Sequence, residues 1–205
     1  GEPIQQARVV PCTYSKGEPA GFAVLHSNCA EDDPYQKMFF IPTDTMRLCM
    51  FDAAGKMLWR KDLGDGVIPG VWFTTMLVFD LNGDGVDEIY LSINETEHAL
   101  DYEADILAVF DPASGQIVAR RPWPLPMQRA DTLSHVYRNL AVGASLHGKQ
   151  RLIIARGTYS PQRLVCLDER LEPVWERIID DGSRGSHTFV SLDLEDQGGE
   201  RIDIR

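Results

Sequence analysis

The chain is short of positive charge: 20 Lys and Arg stand against 31 Asp and Glu, for a net charge of −11 at pH 7. A nucleic-acid surface needs a basic face, so that class of partner is excluded. No apolar run approaches the ~20 residues of a transmembrane helix, so no membrane span is expected. Cysteines are few, at 12, 29, 49 and 166, and none has the C-x-x-C spacing of zinc or thioredoxin-type sites. Cys49 and Cys166 fall in apolar, strand-like runs and read as buried thiols. Cys12 and Cys29 lie in loop-like sequence and could pair in an oxidising compartment. A helical period of apolar residues is missing throughout, 131–140 being the one doubtful stretch. There is neither an initial Met nor a charged-then-apolar leader, as expected of a mature secreted or periplasmic protein or of an excised piece. What remains is an ordinary globular composition, 43% hydrophobic and 25% charged, of a length that suits one domain or two.

Against that background one stretch is dense in chemistry. Val78 to Leu91 reads VFDLNGDGVDEIYL. Asp80, Asn82 and Asp84 take loop positions 1, 3 and 5, the Val86 carbonyl takes position 7 and Glu88 position 9. Ca²⁺ wants six to eight oxygens at about 2.3–2.6 Å, and alternate residues of a tight loop supply them. Gly85 at position 6 permits the sharp turn. An EF-hand would carry an acid at position 12 and continue as a helix; here that residue is Leu91, and Ile89-Tyr90-Leu91 reads as a strand. The expectation is a calcium loop between two strands, with an acidic hairpin lacking metal as the plainer alternative.

The chain also repeats. Arg47-Leu-Cys-Met-Phe-Asp52, Ile106-Leu-Ala-Val-Phe-Asp111 and Arg163-Leu-Val-Cys-Leu-Asp168 align, with their Asp residues 59 and 57 residues apart. Seven residues after each Asp stands Trp59, Val118 or Trp175. A fixed period of this size marks stacked supersecondary units. Each unit reads as a strand, an Asp-led hairpin turn and a strand, with Gly55, Pro112, Gly115 and Pro173 supplying turn chemistry. Recurrence of the Trp favours packing between units over ligand stacking. A further strand pair precedes each hairpin. In the second unit the pair is 72–79 and 88–93, joined by the acidic loop. In the third it is 139–144 and 151–155, joined by residues 145–150, a turn expected to match the acidic loop in length without its acids. Asp193 to Ile202 echoes the loop, but Gln197 and Arg201 spoil positions 5 and 9, unless a one-residue shift recruits Glu200.

Four antiparallel strands per unit make a β-propeller blade. The fold class expected is all-β: a partial propeller over 1–205, with repeats near 9–62, 72–124 and 137–179 and an incomplete one over 186–205. Blades of this length come in sets of six to eight, so a piece of a longer, seven- or eight-bladed propeller is expected, with a compact four-bladed ring as the alternative. An open end of such a piece would expose apolar surface and strand edges.

These residues resemble a known family. Residues 52–91, from DAAGKMLWRKDLG through the acidic loop, resemble the bacterial rhamnogalacturonan lyase propellers, whose blades carry FG-GAP or VCBS-like calcium loops. Val136-Tyr-Arg138, Arg156-Gly-Thr-Tyr159 and Ser186-His187-Thr188 resemble three further segments of that family, in the same order. Trp72, His135 and Tyr137 depart from it, standing where the family has histidine, arginine and aspartate. The resemblance implies an eight-bladed propeller, several calcium ions and an acidic, pectin-type polysaccharide cleaved by β-elimination. It implies that His187 contacts the uronate carboxylate or acts as base, that Arg138 and Arg156 pair with that carboxylate, and that Tyr159 stacks on a sugar ring. Each also has a plainer role: packing for His187, pairing with the chain's own acids for the arginines. A non-catalytic, calcium-stabilised propeller for ligand binding or adhesion is the second class of function. A quinoprotein-dehydrogenase class, suggested by the Gly55–Trp59 hairpin, ranks third. The acidic run from Glu95 to Asp105 reads as a solvated loop.

Overall fold

The computed structural model describes residues 3–29, 43–69, 73–94, 105–124, 138–157, 161–180, 194–196 and 202–204; for 105, 138–140, 194–196 and 202–204 the description is of the backbone. Among them there is no helix, and hence none long and apolar enough to cross a membrane. The strands are β1 Gln6–Cys12, β2 Gly21–Ser27, β3 Arg47–Phe51, β4 Met57–Asp62, β5 Met76–Phe79, β6 Glu88–Asn94, β7 Asp105–Phe110, β8 Ile117–Pro122, β9 Arg138–Leu146, β10 Lys149–Arg156, β11 Gln162–Leu167, β12 Pro173–Ile179, β13 Leu194–Asp196 and β14 Ile202–Ile204. They form three four-stranded antiparallel sheets, β1 to β4, β5 to β8 and β9 to β12, each in simple sequence order, and a two-stranded pair β13–β14.

Sequence periodicity accounts for where each strand sits. The last strands, β4 and β8, alternate between half-buried and exposed residues, as one-sided edge strands do. The inner strand β6 is buried at six consecutive positions from Ile89 to Asn94, because the second sheet lies between the other two. On one of its faces Ile89, Leu91, Ile93, Ala108 and Phe110 pack on Ala23, Leu25, Leu48 and Met50 of the first sheet. On the other, Tyr90, Leu107 and Val109 pack on Leu152, Ile154, Val165 and Leu167 of the third. Each such Leu or Ile contributes about 1.5–3 kcal/mol by leaving water. Where the second and third sheets meet, Gly143 lets the Phe79 ring in: a Cβ there would lie 2.4 Å from the ring. The first strands also touch in succession, β1 against β5 and β5 against β9.

The repeated aspartates close the outer hairpins. Asp52 Oδ1 accepts the N–H groups of Ala54 and Lys56, and Asp168 Oδ1 those of Arg170 and Glu172. Asp111 Oδ2 accepts the Ser114 N–H. The middle turn is one residue longer: the Asp111 N–H reaches the Gln116 carbonyl, whereas Asp52 reaches Lys56 and Asp168 reaches Glu172. That extra residue corrects the alignment. Trp59 faces Met50 and Trp175 faces Cys166, but the residue facing Val109 is Ala119, while Val118 is exposed. Gly55, in the left-handed region at φ 80°, is matched in the third sheet by Leu171 at φ 62°.

These turns also join the sheets. Trp59 Nε1 donates to the Pro112 carbonyl at 2.7 Å, and a Cβ at Gly115 would meet its ring at 2.8 Å. Arg121 of the second sheet donates to the Leu171 carbonyl of the third.

Strand register decides two further points that the sequence leaves open or misjudges. No disulfide joins Cys12, Cys29, Cys49 or Cys166, and all four are buried. Cys12 faces Gly21 at one end of the β1–β2 hairpin, while the Cys29 carbonyl accepts from Gln6 at the other. The strand between them is about 20 Å long, far beyond disulfide reach. Burial, ahead of the neighbouring Asp87 charge, pushes the Cys12 thiol up to about 12. The joint between β9 and β10 is also not as long as the acidic loop. It is a two-residue turn, His147 and Gly148, at φ 52° and 72°, with Ser145 and Gln150 paired inside the ladder. Two positive φ values in a two-residue loop suit the right-handed twist of the flanking strands.

Candidate functional site: an acidic loop and an arginine pair

The acidic loop joins β5 to β6. Phe79 pairs with Glu88, so the ends of the loop are fixed by the ladder. Gly83 and Gly85, at φ 75° and 90°, turn the chain where a side chain would be strained. The loop wraps around its own carboxylates. Asp80 Oδ1 accepts the N–H groups of Gly83 and Asp84, and its Oδ2 accepts that of Gly85. Asn82 Oδ1 accepts the Asp84 N–H, and Asp84 Oδ1 accepts that of Val86. Glu88 turns inward, accepting from the Leu81 N–H at 3.2 Å, the Tyr90 hydroxyl at 3.0 Å and the Asn82 amide at 2.6 Å.

The charges do not balance as well as the hydrogen bonds. Burial raises the Glu88 pKa; the Leu81 N–H and the Tyr90 hydroxyl oppose the rise, and the charges of Asp84 and Asp80 add to it. Among the described residues no three His, Cys, Asp or Glu side chains come together closely enough to hold a metal ion as they stand. The donor set nonetheless suits a hard cation: three carboxylates, an amide oxygen and a peptide carbonyl around two glycines, with mutual repulsion still to be relieved.

Asp87, which the alternate spacing passes over, has a separate task. Its N–H donates to the Thr13 carbonyl at 2.9 Å, and its Oδ2 accepts the Thr13 N–H at 2.7 Å. The acidic loop of the second sheet is thereby tied to the β1–β2 loop of the first. No local pattern announces this, because the partner lies 74 residues away.

Of the polysaccharide-site candidates, Arg138 and Arg156 are brought together. They face each other across β9 and β10, at a point where the register slips by a residue. The Arg156 side chain is 0% exposed, on the face toward the second sheet, and its Nη1 donates to the Pro124 carbonyl at 3.3 Å. Gly157 beyond it has φ 140°, and a Cβ there would meet the Pro161 carbonyl oxygen at 2.6 Å. The side chain of Arg138, and Tyr159, His187, Trp72, His135 and Tyr137, lie outside the described residues, as does the loop echo at 197–201.

No family model matches the chain. It is similar to the rhamnogalacturonan exolyase YesX of Bacillus subtilis (strain 168), at 26% identity over 72% of this chain and 30% of the relative. Among solved structures it resembles rhamnogalacturonan lyase YesW, with a TM-score of 0.73 and 19% identity over 97% of this chain and 39% of that one. It likewise resembles the exotype rhamnogalacturonan lyase YesX, with a TM-score of 0.71 and 21% identity over 97% and 37%. The rhamnogalacturonan lyase PL11 of Bacillus licheniformis gives 0.70 and 20% over 97% and 38%. The chain therefore spans somewhat over a third of the length of these solved structures, and 30% of the curated relative. At these identities the structures establish a shared all-β fold.

Proposed function

We propose that this chain is part of a rhamnogalacturonan or related uronan lyase, a β-propeller that binds calcium and cleaves pectin-type polysaccharide by β-elimination. The observation that carries the reading is the co-linear likeness: three lyase structures follow 97% of the chain at TM-scores of 0.70 to 0.73. The successive contacts of β1 with β5 and of β5 with β9 support blades set around an axis. A secreted or periplasmic location suits a polymeric substrate.

β-Elimination needs the C5 proton of a galacturonate acidified, its carboxylate neutralised and the C4 oxygen released. In this reading Arg138 supplies positive charge toward the carboxylate, His187 contacts it or takes the proton, and Tyr159 stacks on the ring. Arg156, being buried, would act by holding the Pro124 carbonyl and the end of β10. Asp80, Asn82, Asp84, the Val86 carbonyl and Glu88 would hold the calcium ion. When bound, the ion neutralises the loop and fixes its shape.

The test is incubation of the protein with rhamnogalacturonan or polygalacturonate in calcium. New absorbance from an unsaturated uronate is expected, and its loss in Arg138→Ala or His187→Ala with unchanged melting. Wild-type protein that binds the polymer without forming unsaturated ends would instead favour a non-catalytic, calcium-stabilised propeller for ligand binding or adhesion. The complete burial of Arg156 supports that second reading.

A further inference from the structure

We propose that Asp87 couples cation binding in the acidic loop to the packing of the first sheet on the second. The proposal rests on the calcium reading above and adds a consequence of it. Asp87 stands between the Val86 carbonyl and Glu88, two of the groups assigned to the ion. Its own backbone N–H and carboxylate face the other way and grip both polar groups of the Thr13 peptide, at 2.9 and 2.7 Å. A two-point grip fixes direction as well as distance.

Without a cation, Asp80, Asp84 and Glu88 are three carboxylates of like charge within nine residues of chain. The backbone from Val86 to Glu88 is then free to settle where the carboxylates spread. With a cation, the Val86 carbonyl and Glu88 are drawn inward, and the residue between them is held in one orientation. That orientation presents Asp87 to Thr13. Thr13 directly follows Cys12, the buried end of β1, whose side chain belongs to the apolar core shared by the first two sheets. A charge event in one loop thus reaches the seam between two sheets through one residue. Linkage makes the effect reciprocal: the factor by which the ion favours the docked seam is the factor by which docking raises ion affinity.

The experiment uses the whole chain, with CaCl₂ titrated by calorimetry and amide hydrogen exchange followed at Thr13 and along β1. In the wild type, saturating calcium should slow exchange at Thr13 about tenfold, within the ordinary range of coupling between sites. Asp87→Ala should still bind one calcium, about tenfold more weakly, and its Thr13 amide should no longer respond. Asp87→Asn, which keeps an oxygen at the same place without the charge, should fall between the two. Calcium that binds the wild type but leaves Thr13 exchange unchanged overturns the coupling and leaves the calcium reading intact. So does an Asp87→Ala variant that keeps the full response, or one that loses binding altogether, which would make Asp87 a ligand. Absence of any binding by the wild type, with Asp80→Ala and Asp84→Ala indistinguishable from it, removes the calcium reading and the coupling together.

Discussion

The second and third sheets solve one problem in two ways. Both must return the chain from a first strand to a second. Between β9 and β10 two residues suffice, His147 and Gly148, both at positive φ. Between β5 and β6 the chain spends a longer loop in which Asp80 and Asp84 accept the loop's own N–H groups and Glu88 is the final anchor. The short turn is stabilised by a backbone twist that matches its flanking strands. The long one is stabilised by N–H groups directed at carboxylates, which leaves negative charge uncompensated. Extra length and charge are costly unless something uses them, and the grip on Thr13 is a use that a two-residue turn could not provide.

The comparison is sharpened most by removing calcium. If the ion is present at a hundred times its dissociation constant, chelation removes about 2.7 kcal/mol. For a chain of this size that corresponds to a fall in Tm of roughly 5–11 °C. Asp80→Ala or Asp84→Ala should abolish the difference between calcium and chelator in a thermal melt. A melt insensitive to chelator in the wild type would put the two joints in the same class.

A smaller effect is expected at the short turn. Gly148→Val places a β-branched residue at φ 72° and should cost about 1–3 kcal/mol, equally with and without calcium. A calcium-dependent cost there, read from denaturant midpoints, would break the contrast.

Smaller again is the tie between the first two sheets that bypasses the loop. Trp59→Phe keeps the ring over Gly115 and loses the bond to the Pro112 carbonyl, for about 1 kcal/mol. The double variant with Asp87→Ala should lose more than the sum of the two single losses, because both ties hold the same seam. Strict additivity would show the ties to be independent.

The last test sets Glu88 against a carboxylate that is paired. Asp44 takes two bonds from the Arg47 guanidinium, chiefly responsible for holding its pKa well below the usual range, and accepts the Asn28 N–H. Its stabilisation is therefore present above the unfolded carboxylate pKa and lost as pH falls through the lower folded value. Asp44→Asn should flatten the acid limb of a stability–pH curve. Glu88→Gln should act oppositely: the raised folded pKa means stability is lost as pH rises through the carboxylate range, and calcium should reverse that sign. If both variants shift the curve the same way, the charge assignment of the loop is wrong.

Local chemistry was legible in the sequence, and contacts between units were less so. The strand–turn–strand units announced themselves through Asp52, Asp111 and Asp168, because each aspartate caps its own turn within a few residues. The spacing rule then misplaced the middle unit by one, since the extra turn residue before Gln116 moves Ala119 rather than Val118 opposite Val109. The length of the β9–β10 joint was misjudged because Ser145 and Gln150 look like loop residues until their ladder partners are known. Cys12 and Cys29 seemed free to meet because hairpin register, which sets them a strand's length apart, cannot be read from composition. Burial of Arg156 was equally hidden: which face of β10 it occupies depends on the register with β9, and what covers that face comes from another sheet. The oxygen-rich spacing of the acidic loop was plain, whereas its contact with Thr13 required the fold.

The strand order carries a last consequence, for the route by which the protein forms. In all three large sheets every strand pairs only with its neighbours in sequence. Among the described residues no sheet takes a strand from elsewhere, so each can zip up from its own hairpins, with the low loop-closure entropy that favours speed. A ribosome releasing the chain from its N-terminus would deliver β1 to β4 before β5 exists. The face that ends on Ile89 and Leu91 would meanwhile stand open to water. The meander thus makes the nascent first sheet a template on which the second condenses, and the second a template for the third.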